Sequence, residues 1–342
     1  MVFKCVICRR LHGKLEQQQM ADLPQERLKQ ELPFTYLGLD VFGPWEVVTR
    51  RTRGGSANSK RWAVLFTCMS TRAVHIEVIE TMSASSCINA LRRFFAIRGP
   101  AKQLRSDRGT NFVGANSNLK AATEAEEESV NTFLCSQRCT WVFNLPHASN
   151  MGGSWERMIG TACRILDSML LQAGRLKVTH KVLCMFMAEV TAIINSRPLI
   201  PVSSDPEALL ILTPVMLLTQ KSGTIPAPPA EGSEASLLKQ QWKRVQALAE
   251  TFWARWRREY LSILQARQKW HAKKPNLKEG DIVLLKDKQA RRNEWSIGRV
   301  EKTFPSDGLV RKVDVKVASH HPPKTYLRPV SDMVLLLEAE TV

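Results

Sequence analysis

Three short apolar segments follow one another near the start of the chain and limit its fold more than any other feature. Residues 36–45 (YLGLDVFGPW), 62–71 (WAVLFTCMST) and 73–80 (AVHIEVIE) are short, aromatic and β-branched, with glycine, proline or basic turns between them. They predict three strands of a meander. A helix is expected over 83–98: Ser83 stands at the cap, Ile88, Leu91, Phe94 and Phe95 recur at helical spacing, and Gly99 and Pro100 stop it. A short strand is expected over 102–107 (KQLRSD), a polar helix over 116–134, a fifth strand over 140–145 (TWVFNL), and two long helices over 153–172 and 179–194. This order predicts an α/β domain, a mixed sheet with helices on both faces.

Residues 221–236 (KSGTIPAPPAEGSEAS) have the composition of a linker and predict a domain boundary. The expected organisation is an N-terminal region (1–30), the α/β domain (31–220), the linker (221–236) and a C-terminal domain (237–335). In the last, 242–270 is a long helical pattern with Trp253, Trp256 and Tyr260 among Arg255, Arg257 and Arg258. Residues 278–285 (KEGDIVLL), 295–300 (WSIGRV) and 313–317 read as strands of a small β-barrel. Charge is concentrated in this region, where 238–332 holds 22 Lys and Arg against 10 Asp and Glu in a chain of net charge +17. Such a chain is drawn to polyanions, nucleic acid above all. The longest apolar stretch, 209–218, contains Thr213 and Pro214 and is shorter than the ~20 residues of a membrane span, so no membrane partner is expected. Lys4, Cys5 and Cys8 stand where a secretion signal needs an apolar core, and the eight cysteines are expected as thiols of a reducing, intracellular compartment.

Asp40 lies between Leu39 and Val41 inside an apolar strand, where a charge without a partner is costly to bury, so it wants a cation or a donor. An aspartate at the strand edge, facing solvent before Gly43 and Pro44, is the equal alternative. Asp107, in RSDRGTNF, ends the fourth strand, where ligands of open α/β sheets gather, although Asp-Arg-Gly is also a turn. Glu156, in MGGSWERMIG, opens a helix whose apolar side is Trp155, Met158, Ile159 and Ala162. By spacing alone, a glutamate there is solvated.

Together, GLDVFGPW, RSDRGTNF and HASNMGGSWERM resemble, in order, three motifs of the integrase catalytic core of retroviruses and retrotransposons, most closely BEL/Pao-type retrotransposon integrases. NALRRFFAIRGP and INSRPL are similar to that family too, and the resemblance covers about 33–220. It implies a ribonuclease H-like core in which Asp40, Asp107 and Glu156 are catalytic and hold two divalent cations, Mg²⁺ or Mn²⁺, with Asp40 bridging both. Three carboxylates with no catalytic His or Ser suit that chemistry, because hard cations take oxygen ligands and clamp the attacking and leaving oxygens of a phosphodiester ~3.5–4 Å apart. The 48 residues between Asp107 and Glu156 exceed the retroviral spacing, which places an insertion in the polar stretch 115–132. GDIVLL and YLRPV are similar to segments of the C-terminal domain behind BEL/Pao cores, which implies a helix followed by a small SH3-like β-barrel.

The resemblance further implies DNA as partner, both element ends and target, a homo-oligomer, and a nuclear location. Candidate DNA contacts are Arg157 and Arg164 on the Glu156 helix, Arg257 and Arg258 on the C-terminal helix, and Lys286, Lys288, Arg291 and Arg292, expected to be exposed on the barrel and to grip phosphates without reading sequence. An amphipathic helix with a solvated basic face is an equal reading of 242–270. Cys5 and Cys8 have zinc-ligand spacing, and in the family such a pair ends a His-His-Cys-Cys domain; here the His pair is missing and His12 makes only a third ligand where a closed site wants four. A truncated remnant is therefore expected rather than bound zinc. Glu124, Glu126, Glu127 and Glu128 read as a solvated helix face and His147 as a loop histidine. The first functional reading is an integrase, a polynucleotidyl transferase that hydrolyses element 3′ ends and joins them to target DNA. The alternative is a catalytically inactive nucleic-acid-binding relic. A ribonuclease H-type nuclease is the third, and the basic barrel and the WERM helix speak against it.

Overall fold

The computed structural model of the 342-residue chain describes residues 28–52, 55–107, 120–144, 156–172, 178–201, 211–221, 240–264, 276–287, 290–317 and 324–339. Strands β1 (Tyr36–Thr52), β2 (Gly55–Cys68) and β3 (Val74–Ile79) form the expected antiparallel meander. Helix α1 (Ala84–Arg98) crosses back, β4 (Gln103–Asp107) pairs parallel to β1, α2 (Lys120–Ser136) follows, and β5 (Thr140–Asn144) pairs parallel to β4. The sheet order is β3-β2-β1-β4-β5, a mixed sheet, with α3 (Glu156–Gln172) and α4 (His180–Asn195) completing the element order expected of the ribonuclease H-like class. The caps explain two of the helix starts: the Ser83 hydroxyl accepts from the Ser86 N–H and the Thr179 hydroxyl from the Val182 N–H, each satisfying one of the donors a helix start leaves open.

A register shift between Phe42 and Trp45 switches the buried face of β1 and divides the interior in two. Leu37, Leu39 and Val41 are buried with Leu91 and Phe94 of α1 and Leu134 of α2, whereas Trp45 and Val47 are buried with Leu166 of α3 and Phe186 of α4. Both β1 and β2 run further than the sequence suggests. From Trp45 outward β1 pairs only with β2 among the described ladders, apart from one bridge between Val48 and Thr179, so the two strands leave the sheet as a two-stranded ribbon.

After β6 (Ile200–Pro201), β7 (Ile211–Leu212) and the short α5 (Pro214–Thr219) comes α6 (Gln241–Leu264), the long helix expected at the head of the C-terminal domain. Its Val245, Leu248, Phe252 and Trp256 are buried among Leu166 and Met169 of α3 and Phe186 and Val190 of α4. The helix thus completes the core beneath the first sheet. The INSRPL segment, at the end of α4, is also architectural. The Asn195 amide donates to the Val74 carbonyl and accepts from the Val74 N–H, both at 2.8 Å, so a side chain pairs with the start of β3 as a strand would. The Arg197 guanidinium, buried and pushed down to about 10 by that burial, donates to the carbonyls of Ile194 and Arg72, and Tyr260 of α6 donates to the Pro198 carbonyl at 3.0 Å.

The C-terminal region forms a second sheet from β8 (Ile282–Leu285), β9 (Ile297–Ser306), β10 (Leu309–Val317), β11 (Lys324–Pro329) and β12 (Met333–Leu337), in the order β11-β10-β9-β8-β12 with antiparallel ladders throughout. A 3₁₀ turn, Val330–Asp332, joins the last two strands. A small β-barrel was expected here; the strands of one sheet are present, and no ladder joins β11 to β12 among the described residues. It rests on α6, since Leu261 is buried with Ile282, Leu284, Ile297 and Val334, and Trp295 meets the rings of Trp253 and Tyr260 edge-on at 5.0 and 5.4 Å. No helix among the described residues is long and apolar enough to cross a membrane.

Candidate active site

Asp40 occupies the face of β1 opposite Leu39 and Val41, the side on which α3 packs. It is half-buried, and its Oδ1 accepts the Val41 N–H at 2.8 Å. That meets part of the cost of placing a carboxylate in an apolar strand without taking it out of reach of solvent. Register brings Asp107 beside it. Leu39 pairs in parallel with Ser106, so one step on, position 107 falls next to Asp40 on the neighbouring strand and on the same face, with backbones ~5 Å apart. Ser106 holds the other face: it is buried and its hydroxyl accepts the Trp141 indole N–H at 2.9 Å, tying β4 to β5. Asp107 ends β4 opposite Asn144 of β5, at the carboxyl ends of the two parallel strands.

Glu156 is the first residue of α3, and seven residues on, two turns at 3.6 residues per turn, stands Cys163 on the same helix face. The Cys163 thiol is pushed up to about 12, first by burial and then by the carboxylates of Asp40 and Asp167. The face of α3 that carries position 156 is therefore turned toward Asp40. Lower on that face Asp167 accepts the Trp45 indole N–H at 2.9 Å, which fixes the helix against β1. Between the two, Gly160 is exposed, and among the described residues a Cβ built on it would meet nothing within 4 Å.

The side chains of Asp107 and Glu156 lie outside the described residues, and among the described residues no three His, Cys, Asp or Glu side chains group as a metal site. The donor set itself is informative. Asp40, Asp107 and Glu156 are carboxylates, and oxygen ligands suit Mg²⁺ or Mn²⁺ rather than zinc. Burial also raises Cys87 to about 12 and Cys139 to about 11, whereas Cys135 is exposed. Iodoacetamide at pH 8 is accordingly expected to label Cys135 and spare Cys87, Cys139 and Cys163 in the native chain. Peptide mapping of the labelled protein checks this, and labelling of Cys163 as fast as of Cys135 would contradict the packing of α3 on β1.

The expected DNA contacts separate into groups. Arg164 is exposed on α3 and donates to the Thr161 hydroxyl at 3.1 Å. Arg258 and Arg291 are exposed, and Lys286 donates to the Ser331 carbonyl at 2.7 Å. Arg257 is half-buried, its guanidinium 5.6 Å from the Trp253 ring centre and donating to the Ala290 carbonyl at 3.3 Å. Arg292 does not face solvent as expected. It is 3% exposed, donates to the Gln246 side-chain oxygen and lies 3.7 Å from a Glu189 oxygen and 3.5 Å from a Glu250 oxygen, because α4 and α6 bring carboxylates to the loop that carries it. Arg292 holds the second sheet to the helices. Cys5, Cys8, His12, His147, Lys288 and the Arg157 side chain lie outside the described residues.

Sequence reasoning passed over a basic face on the second sheet. Val313, Val315 and Val317 of β10 point inward, so Lys312, Asp314 and Lys316 fall on the outer face, flanked in register by Phe304, Lys302 and Arg299 of β9 and by Pro329, Leu327 and Thr325 of β11. Lys302 and Phe304 are exposed, with the ammonium 5.4 Å from the ring centre. The alternation in LVRKVDVKV carried this signal.

The chain matches the model of a family of unknown function (DUF5641) over residues 240–336, which span α6 and nearly all of the second sheet. No curated protein matches it. Among solved structures, the chain is similar over 97% of its length to 87% of a chain in the simian T-cell lymphotropic virus intasome in complex with PP2A regulatory subunit B56 gamma, at 10% identity and a TM-score of 0.41. It is similar over 49% and 48% of its length to 90% and 87% of the HTLV-2 integrase catalytic core domain in complex with magnesium, in dimeric and trimeric forms, at 15% and 14% identity and a TM-score of 0.31 for both. At these scores the likenesses carry no functional weight.

Proposed function

We propose that the chain is a retroelement integrase of the BEL/Pao type, a polynucleotidyl transferase acting on DNA. The observation that supports this most directly is the register that sets position 107 beside Asp40 on one face of the sheet, under a helix face that carries position 156. Asp40, Asp107 and Glu156 would hold a pair of Mg²⁺ or Mn²⁺ ions, which when bound polarise a phosphodiester and lower the pKa of the attacking water or 3′-hydroxyl. The chain's own part is positional. The Val41 N–H orients the Asp40 carboxylate, the hydrogen bond from Trp45 to Asp167 sets the height of α3, and among the described residues the space at Gly160 has room for a sugar-phosphate backbone. Arg164, exposed one residue beyond Cys163, offers a positive charge beside that space. Five antiparallel strands with a 3₁₀ turn before the last support reading the second sheet as SH3-like, with a phosphate-binding outer face. A nuclear location and a homo-oligomer on paired DNA ends belong to the same reading.

The test is strand joining by the full-length chain on a branched DNA substrate with Mn²⁺. Joined product that requires the cation supports an integrase. DNA binding without any joining supports the relic instead. The outer face has its own prediction: Lys302→Ala with Lys312→Ala removes two phosphate contacts and is expected to lower the slope of log K against log salt by about 2 in a duplex-binding titration. An unchanged slope would move the phosphates elsewhere.

A further inference from the structure

The β1–β2 ribbon is absorbed by none of this. Its base is fixed: Trp45 and Val47 are buried, the Trp45 indole donates to Asp167, and the Val48 N–H donates to the Val178 carbonyl at 2.9 Å. Beyond Val48 the strands pair only with each other in the described ladders, Arg50 with Ala57, Arg51 with Ser56 and Thr52 with Gly55. Four residues from Thr49 to Thr52 carry this arm ~13 Å past its anchor at ~3.3 Å per residue. The major groove of duplex DNA is about 12 Å wide and 8.5 Å deep and admits a two-stranded β-ribbon. Residues 48–60 (VTRRTRGGSANSK) contain four cations and no carboxylate, and the positions facing Arg50 and Arg51 across the ladder are small. Consecutive strand positions alternate between faces, so positions 50 and 51 fall on opposite faces of the arm.

We infer that the β1–β2 ribbon is a DNA-binding arm that enters the major groove of a duplex, with Arg50 and Arg51 set against the phosphates of the two strands. Its length fits the groove, its charge complements the walls, and its fixed base spares it the ordering cost of a free loop. The simplest competing use of the cations is to guard two exposed strand edges against pairing with other chains. That use predicts self-association of a neutralised arm and no change in DNA binding.

The test is duplex binding by the full-length chain without divalent cation, read as salt dependence, so that its outcome is independent of the carboxylate chemistry. Arg50→Ala with Arg51→Ala is expected to raise Kd for a 30-base-pair duplex roughly tenfold at moderate salt and to lower the salt slope by about 2. Arg50→Lys with Arg51→Lys keeps the charges and should bind as the parent does. Arg92→Ala with Lys181→Ala removes the same charge from exposed helical positions of α1 and α4, and should leave the slope within about half a unit. An unchanged slope in the alanine pair would overturn the inference and leave the arm to edge protection or an acidic protein surface. An equal loss in the helix-charge pair, an equal loss on single-stranded DNA, or a loss in the lysine pair would overturn it as well.

Discussion

Asp40→Asn is expected to abolish cation-dependent strand joining while leaving the unfolding transition close to that of the parent. The exchange keeps the shape of the side chain and an oxygen that can still accept the Val41 N–H, so the local hydrogen bond at 2.8 Å survives. What is lost is the negative charge that the proposed pair of cations would face. A metal pair contributes several kcal/mol of charge stabilisation in the transition state. At 1.36 kcal/mol per tenfold, a loss of ~4 kcal/mol slows the reaction about 10³-fold. Asp107→Asn and Glu156→Gln should do the same, and as the three would act as one unit, the double variants should be no worse than the singles. Duplex affinity measured without cation should not change in any of them. Joining by Asp40→Asn at a tenth of the parental rate or more would remove Asp40 from the chemistry and return it to the solvent-facing strand residue that its sequence context also allowed.

Trp256→Ala is expected to cost the fold about 3–5 kcal/mol, the range for truncating a buried aromatic side chain to alanine. Trp256 is fully buried and stacks between Phe252 and Tyr260, with ring centres 6.1 and 5.6 Å away, inside the core that α3 and α4 share with the first sheet. Its indole N–H has no hydrogen-bond partner among the described residues, so Trp256→Phe, which removes that donor and keeps most of the apolar bulk, should cost far less. Chemical denaturation of the three proteins measures this directly, and a Trp256→Ala chain as stable as the parent would show that α6 does not belong to the core. The same packing decides where the chain can be cut. Removing everything from residue 237 strips Val245, Leu248, Phe252 and Trp256 from beneath the sheet, so such a chain would lose DNA affinity by unfolding rather than by losing a phosphate-binding face. Substitutions on the outer face of β9 and β10 separate the two effects.

The meander, the helix capped by Ser83 and the pair α3 and α4 were legible because their periodicity and caps are local properties. The ribbon was not. Residues 48–60 have no apolar alternation, and the strand conformation of 48–52 and 55–60 rests on backbone pairing between β1 and β2, which leaves no mark on residue type. The destination of α6 was hidden for a related reason. The apolar stripe of Trp253, Trp256 and Tyr260 announces that the helix is covered, but not that α3 and α4 on one side and the second sheet on the other cover it. Arg292 shows the limit for charge: a cation in a basic loop reads as a phosphate contact until Glu189 and Glu250, 103 and 42 residues away in the chain, are seen to close on it. For the site, resemblance proposed the three carboxylates and the parallel register of β1 with β4 supplied the geometry for two of them. Composition and spacing alone left each with a bland alternative.

Mn²⁺ added to the full-length chain, followed by calorimetry beside the Asp107→Asn and Arg92→Ala variants under the same conditions, is expected to show saturable binding in the parent and in Arg92→Ala, and none in Asp107→Asn, with all three proteins folded. Saturable binding of equal strength and stoichiometry in Asp107→Asn, or no binding in the folded parent, would contradict a shared cation site at Asp40, Asp107 and Glu156.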